Sequence, residues 1–206
     1  MDDSEKTAPG LRERKRQETL DRIARAGLKL FIENGYEATT LDAIAAASGI
    51  ARRTFFYHLK SKEDVLLAHE SGDIPLILRP TLLMQSQAAS PLEAARKTFV
   101  ALSSRYETKE AVLADQILRS TEALRLRKDA LMIRMEDVLA DAMAELWPDP
   151  ARQPALRLAA TTAMGTLRFA KENWRRDGAS RPLAQYINEA FDLLDHLAVP
   201  AQAKPA

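Results

Sequence analysis

Arg52 and Arg53 stand side by side, with Thr54, Tyr57 and His58 one turn further on and Lys62 just beyond. Residues of these types on one short helix suit hydrogen bonding to a nucleic acid. An arginine fork can pair with the guanine O6 and N7 atoms. Threonine, tyrosine, histidine and lysine can grip phosphate or touch a thymine methyl. Thr40 heads the preceding segment and is a further phosphate candidate. Arg12, Arg14 and Arg16, near the start of the chain, could reach phosphates or the minor groove as a flexible arm, or could form a solvated helix face.

These side chains must be carried by a scaffold, and residues 39 to 64 supply one. Thr39 and Thr40 can each cap a helix start, and Asp42 lies three residues after Thr39. Leu41, Ile44 and Ala45 share one helical face, and small Ala45 lets a second helix cross close by. Gly49 follows the last helical residues, where a left-handed backbone costs glycine least. Ile50 and Phe55 anchor the next helix, which leaves Arg52, Arg53, Thr54, Tyr57 and His58 to face outward. That helix is too short to stand alone. The pattern is the sequence form of a helix-turn-helix that reads DNA.

Helix-glycine-helix patterns also occur in proteins that never touch DNA, but the charge layout favours the DNA reading. Gly10 to Leu30 holds seven Lys or Arg against three acids, and Ile50 to Lys62 holds four and no acid. Between them, Phe31 to Gly49 carries Glu33, Glu37 and Asp42 and no base. The whole chain is only +1, so basic character is local, which is what phosphate binding needs.

Residues 12 to 66 resemble the DNA-binding domain of TetR-type transcriptional regulators. The resemblance is carried by Phe31-Ile32-Glu33-Asn34-Gly35-Tyr36, Ala38-Thr39-Thr40-Leu41, Ile44-Ala45-Ala46-Ala47-Ser48-Gly49-Ile50, Arg53-Thr54-Phe55-Phe56-Tyr57-His58-Leu59 and Lys62-Glu63. Two positions depart from the family pattern. Ala51 stands where Ser or Thr is common, and Phe56 where Tyr is common. Each removes a hydroxyl from the expected contact set. The resemblance implies base contacts from Arg52 and Arg53, backbone contacts from Thr40, Thr54, Tyr57, His58 and Lys62, and further contacts from Arg12 and Arg16. It also implies a homodimer on a palindromic double-stranded operator.

The rest of the chain fits an all-α fold. Of 206 residues 46% are hydrophobic, glycines number seven, and cysteine is absent. This excludes disulfides and cysteine-based metal or redox sites. No β-alternating segment, signal pattern or membrane-length apolar run is evident, so a cytoplasmic protein is expected. Periodicity and caps predict about nine helices: roughly 11–34, 41–48, 52–58, one from Ser61, 90–106, 108–120, 122–147, 151–177 and 181–197. Ile74-Pro75 and Arg79-Pro80 predict a break or kink between Gly72 and Pro80. The expected division is a three-helix DNA-binding domain over 11–60 and a helical ligand-binding and dimerisation domain over 61–198. Residues 1–10 and 199–206 are expected to be disordered tails.

Two apolar stripes mark the last helices: Leu156, Ala160, Ala163, Met164, Leu167 and Trp174, then Leu183, Tyr186, Ile187, Ala190, Phe191, Leu194 and Leu197. Periodicity alone fits packing within one subunit as well as packing between two. The resemblance favours a partner surface built on Ala163, Leu167, Trp174, Ile187, Phe191 and Leu194. It also implies a ligand cavity in the middle helices, with Met84, Phe99, Tyr106, Gln116, Arg119, Phe169 and Trp174 as candidate walls. The segment Trp174 to Leu183 resembles the stretch before the last helix in actinobacterial-type members that answer to acyl-CoA thioesters. A small hydrophobic effector, acyl-CoA-like, is therefore the expected ligand.

Catalysis is set aside. His58, His69 and His196 have no partner spacing for a metal site, and no Gly-rich phosphate loop or nucleophile elbow occurs. No cofactor or membrane association is expected. The sequence reading is a ligand-responsive repressor that a small effector releases from its operator. An activator of the same fold and a helical protein-interaction module are the alternatives.

Overall fold

The computed structural model describes residues 11–71, 74–120 and 122–198. The described residues form ten α-helices, two short 3-10 turns and no strand. The helices are α1 (Leu11–Asn34), α2 (Leu41–Ser48), α3 (Arg52–His58), α4 (Lys62–Ser71), α5 (Ile74–Leu83), α6 (Pro91–Leu102), α7 (Lys109–Leu118), α8 (Glu122–Leu146), α9 (Gln153–Arg176) and α10 (Leu183–Ala198). Two compact units result: Met1–Gly72 with Glu110–Lys128, and Asp73–Lys109 with Asp129–Ala206.

The first unit is organised around α1. Ile23, Ala24, Leu28 and Phe31 turn inward at helical spacing and are buried with Ile44 and Ala45 of α2, Phe55 of α3, and Val65 and Leu66 of α4. Ala114 and Leu118 of α7 and Leu124 of α8 join the same core. Gly27 makes the α1–α4 contact possible. A Cβ there would lie 2.4 Å from Val65 Cγ1, so only a residue without a side chain allows this approach. Helix α4 opens on a reciprocal cap, with the Asp64 amide donating to Ser61 Oγ at 3.0 Å and the Ser61 amide to Asp64 Oδ2 at 3.1 Å. Arg127 of α8 adds an ion pair to Asp64 at 3.0 Å. Lys128 and Asp115 form a buried ion pair between α8 and α7.

Among the described residues the segment after Ser61 is helical over Lys62–Ser71 and again over Ile74–Leu83, and residues 72–73, part of the stretch where a break or kink was expected, lie outside the described residues. Within the described part of that stretch α5 runs through Pro80. Pro75 sits in the first turn, where its missing N–H has no helical partner to lose. Around Pro80 the helix is kept by its neighbours. Thr81 Oγ1 donates to the Ile77 carbonyl at 2.6 Å, and the Met84 amide to the Pro80 carbonyl at 3.2 Å.

The second unit is a bundle in which α6 packs against both α9 and α10. Leu156, Ala160, Ala163, Met164, Leu167, Ala170 and Trp174 of α9 are buried, as are Leu183, Tyr186, Ile187, Ala190 and Phe191 of α10. The Phe191 ring meets Phe99 of α6 with centroids 6.3 Å apart. The Trp174 indole N–H donates to the Arg181 carbonyl at 3.0 Å and so ties the end of α9 to the segment leading into α10. Ala163, Leu167, Trp174, Ile187 and Phe191 are used in the interior of one subunit, and Leu194 is only half-buried. The large apolar residues left exposed on these two helices are Leu158 and Phe169 on α9 and Leu193 and Leu197 on α10.

Replacing Gly27 with Ala tests the close approach of α1 and α4. Helix propensity alone would gain up to about 1 kcal/mol, whereas forcing a methyl against buried Val65 should cost about 1–3 kcal/mol. We expect a lower urea midpoint for G27A. A midpoint raised above the wild type would show that the two helices are not held this close.

Candidate functional site

The helix-turn-helix is assembled from short-range interactions that the sequence specifies. Thr40 is the N-cap of α2, and its Oγ1 accepts from the Ala43 amide at 3.1 Å. That bond uses a lone pair and leaves the hydroxyl proton free to be donated outward. Thr39, the alternative cap in the sequence, is buried instead. Its hydroxyl lies 2.8 Å from the Gly35 carbonyl and 3.2 Å from that of Leu30, closing the end of α1. Gly49 ends α2 in the left-handed region (φ 64°), and its N–H bonds to the Ala46 carbonyl at 3.1 Å. Buried Ser48 donates its hydroxyl to the Ala45 carbonyl at 2.8 Å.

Helix α3 is seven residues long and has no side-chain cap, because Ala51 offers none. Phe55 holds it by complete burial, and the Leu59 amide closes its end on the Phe55 carbonyl at 3.0 Å. Arg52, Arg53, Thr54 and Tyr57 are exposed on the other side. Tyr57 is 80% exposed, an unusual position for a large aromatic residue. Half-buried His58 packs edge-on against it, with ring centroids 5.1 Å apart.

Arg52 is not a free cation. Its Nε and Nη2 donate to the two carboxylate oxygens of Asp42 on α2, at 2.8 and 3.3 Å. Its guanidinium carbon lies 5.4 Å from the centre of the Phe56 ring. Lys62 is also committed. Its ammonium donates to the Tyr36 carbonyl at 2.7 Å and the Glu37 carbonyl at 3.2 Å, and sits 4.5 Å from the Tyr36 ring centre. Two of its three N–H groups thus fasten α4 to the turn after α1, so its first task is structural. The Tyr36 hydroxyl donates to Glu63 Oε1 at 2.8 Å. Burial and this bond push the Tyr36 pKa upward. Burial also pushes Glu63 up, but hydrogen bonds from its own backbone, Tyr36 and Ser61 outweigh it and hold the carboxylate below its ordinary range. Arg16 is exposed on α1, and the Arg12 side chain lies outside the described residues.

A second feature lies within the other unit. A narrow cleft with a cavity volume of about 20 Å³ is lined by Ile74 and Leu78 of α5, Phe99 and Leu102 of α6, Tyr106, Met132 and Met135 of α8, and Met164 and Leu167 of α9. Phe99 and Tyr106 are the expected wall residues found there. Met84 is 84% exposed just past the end of α5, and Phe169 points outward from α9 at 47% exposure. Gln116 lies on α7 and Arg119 just past its end, both in the first unit. Trp174 is occupied at the end of α9. The sequence reading named Met84 as a wall residue but not Met132, Met135 or Met164. Met132 and Met135 share a helical face at i, i+3 spacing, which was the signal available. Lys171, one turn beyond Leu167, is buried with its ammonium 3.9 Å from the Tyr106 ring centre, beside the cleft. Among the described residues no group of three His, Asp or Glu side chains could hold a metal ion, and no helix is long and apolar enough to cross a membrane.

Comparison with known proteins places this architecture. Residues 23–69 match the family described as bacterial regulatory proteins, tetR family. The HTH-type transcriptional regulator TcmR of Streptomyces glaucescens is 40% identical over 97 residues, which make up 47% of this chain and 42% of that protein. The HTH-type regulator YerO of Bacillus subtilis is 41% identical over 51 residues, 25% of this chain and 18% of that protein. The chain thus matches less than half the length of these two curated relatives. Among solved structures, Thermus thermophilus FadR, a TetR family transcriptional repressor in complex with lauroyl-CoA, is similar at a TM-score of 0.59 and 25% identity. That likeness covers 91% of this chain and 99% of the FadR chain. The helix-turn-helix with its buried Phe55 lies inside the residues that match the tetR family of bacterial regulatory proteins, and the fold over 91% of the chain is similar to that of the FadR repressor.

Proposed function

We propose that the protein is a DNA-binding transcriptional regulator, a repressor that acts as a homodimer and leaves its operator when a hydrophobic effector binds. Residues 11–60 form its DNA-reading part, and residues 61–198 its ligand-binding and dimerisation part. The observation that carries the reading is α3, a helix anchored by Phe55 and Leu59 that turns Arg52, Arg53, Thr54 and Tyr57 to solvent. Arg53 and Arg52 read base edges, Tyr57, Thr54 and the Thr40 hydroxyl grip the backbone, and His58 steadies Tyr57. Arg16 and Arg12 add general phosphate attraction. No catalytic role is proposed, and the protein works in the cytoplasm. Fluorescence anisotropy with duplex DNA selected from a random pool tests this directly. Affinity should fall steeply with salt. Arg53→Ala should lose preference at one position per half-site, worth about 1–3 kcal/mol. Salt-independent binding, or unchanged preference in the variant, would count against it.

One seven-residue helix contacts too few base pairs for specificity, so a two-fold pair is required. The outward side of α9 and α10 is the surface suited to it, with Leu158, Phe169, Leu193 and Leu197 exposed and Gly165 half-exposed between the α9 residues. An isologous interface uses the same patch on both copies. Leu193→Arg should therefore give a folded monomer with unchanged helicity and much weaker operator binding. Phe191→Arg should unfold the chain instead, because it places a charge in the subunit interior. A dimeric Leu193→Arg variant in sedimentation would refute this surface.

The cleft is almost wholly apolar, and three methionines give it an adaptable wall. The FadR relative holds lauroyl-CoA, and an acyl chain is the effector class proposed here. Buried Lys171 beside Tyr106 suits an anionic end group. Binding of such a ligand and of DNA must weaken each other by the same factor. Calorimetry with lauroyl-CoA and dodecanoate, with and without operator, should show that reciprocity. Tight acyl binding that leaves operator affinity unchanged would sever effector from regulation.

A further inference from the structure

We infer that Asp42 is a specificity-determining residue, acting on DNA through Arg52 while making no base contact of its own. The inference rests on the DNA-binding reading above. The carboxylate of Asp42 meets Arg52 on its side edge, through Nε at 2.8 Å and Nη2 at 3.3 Å. A guanidinium has five N–H groups in a fixed plane. This side-on pairing uses Nε–H and one Nη2 hydrogen. It leaves the end-on fork, formed by Nη1 and the second Nη2 hydrogen, unoccupied by the carboxylate. That fork has the donor spacing that matches the O6 and N7 acceptors of guanine. The Phe56 ring, 5.4 Å from the guanidinium carbon, limits the arginine from a second side.

The geometry has two consequences. A long arginine side chain loses much rotamer freedom when it orders on a base. One already held by a carboxylate across the turn and flanked by an aromatic ring has lost part of that freedom before DNA arrives. Asp42 also carries a negative charge on the DNA-facing part of the helix-turn-helix, within the acidic stretch between the two basic ones. At any site where Arg52 finds no guanine, the phosphates still meet that charge without a compensating base contact. Asp42 should therefore sharpen discrimination while lowering affinity for DNA in general. The two effects have opposite signs and can be told apart. The pair is exposed, with side chains 74% and 61% accessible, so as an ion pair it adds little to folding stability.

The experiment selects binding sites from a random duplex pool with the wild-type chain, D42A, D42N, R52A and the D42A/R52A double variant. Affinities are then measured for the selected duplex, for a duplex with the Arg52-dependent guanine replaced by adenine, and for unrelated DNA. If the wild type enriches no sequence, the DNA-binding reading itself fails. If it does, D42A and D42N should each lose roughly tenfold of the preference for that guanine and bind unrelated DNA more tightly. The double variant should discriminate no worse than R52A alone. Preference for guanine unchanged in both Asp42 variants, with affinity raised equally for all duplexes, would reduce Asp42 to a repulsive charge and overturn the inference. Equal thermal midpoints would show that the effect is not loss of fold.

Discussion

Burial of Phe55 is the constraint on which the DNA-reading surface depends. A helix of seven residues has no stability of its own, and α3 also lacks a capping side chain at its start. Placing one phenylalanine fully inside the first unit's core contributes about 1.5–3 kcal/mol. The neighbours of Phe55 in that core are set by two small residues. Ala45 lets α2 and α3 cross closely, and Gly27 lets α4 approach α1. Once Phe55 is fixed, the residues on either side of it in sequence must point outward, and these are Arg52, Arg53, Thr54 and Tyr57.

Polar side chains at the edges of this assembly divide into those that hold it together and those left for a ligand. Thr39, Tyr36, Lys62, Glu63, Ser61 and Asp64 satisfy backbone groups or one another at the junctions of α1, α2 and α4. Arg53, Thr54 and Tyr57 are not needed for that work. Lys62 shows why residue type alone does not separate the two groups. A lysine at a helix start next to a basic stretch suits a phosphate ligand, yet two of its N–H groups bond the Tyr36 and Glu37 carbonyls.

Local patterns were legible in the sequence wherever one element decides them. The Thr40 cap, the Gly49 turn, the Phe55 anchor and the Ser61–Asp64 box are all short-range features. What remained hidden depends on distant parts of the chain. The requirement for glycine at position 27 comes from Val65, and the role of Asp42 from the rotamer of Arg52. The stripes on α9 and α10 have the right period for either side of the bundle. Only the position of α6, with Phe99 against Phe191, shows which side is interior. For the cleft, the expected wall included Met84, Gln116 and Phe169, which lie elsewhere. The lining is in fact aliphatic and sulfur-bearing, made where four helices and Tyr106 meet.

The central claim is that two copies of α3 enter successive major grooves on one face of a duplex. Dimethyl sulfate modifies guanine N7, which lies in the major groove, so protection from methylation reports that contact. With the selected duplex bound by wild-type protein, the account requires two patches of protected guanines separated by about one helical turn and related by the two-fold of the site. Protection confined to a single patch would contradict a paired reading. Full methylation of every guanine under saturating protein would contradict major-groove reading by α3 altogether.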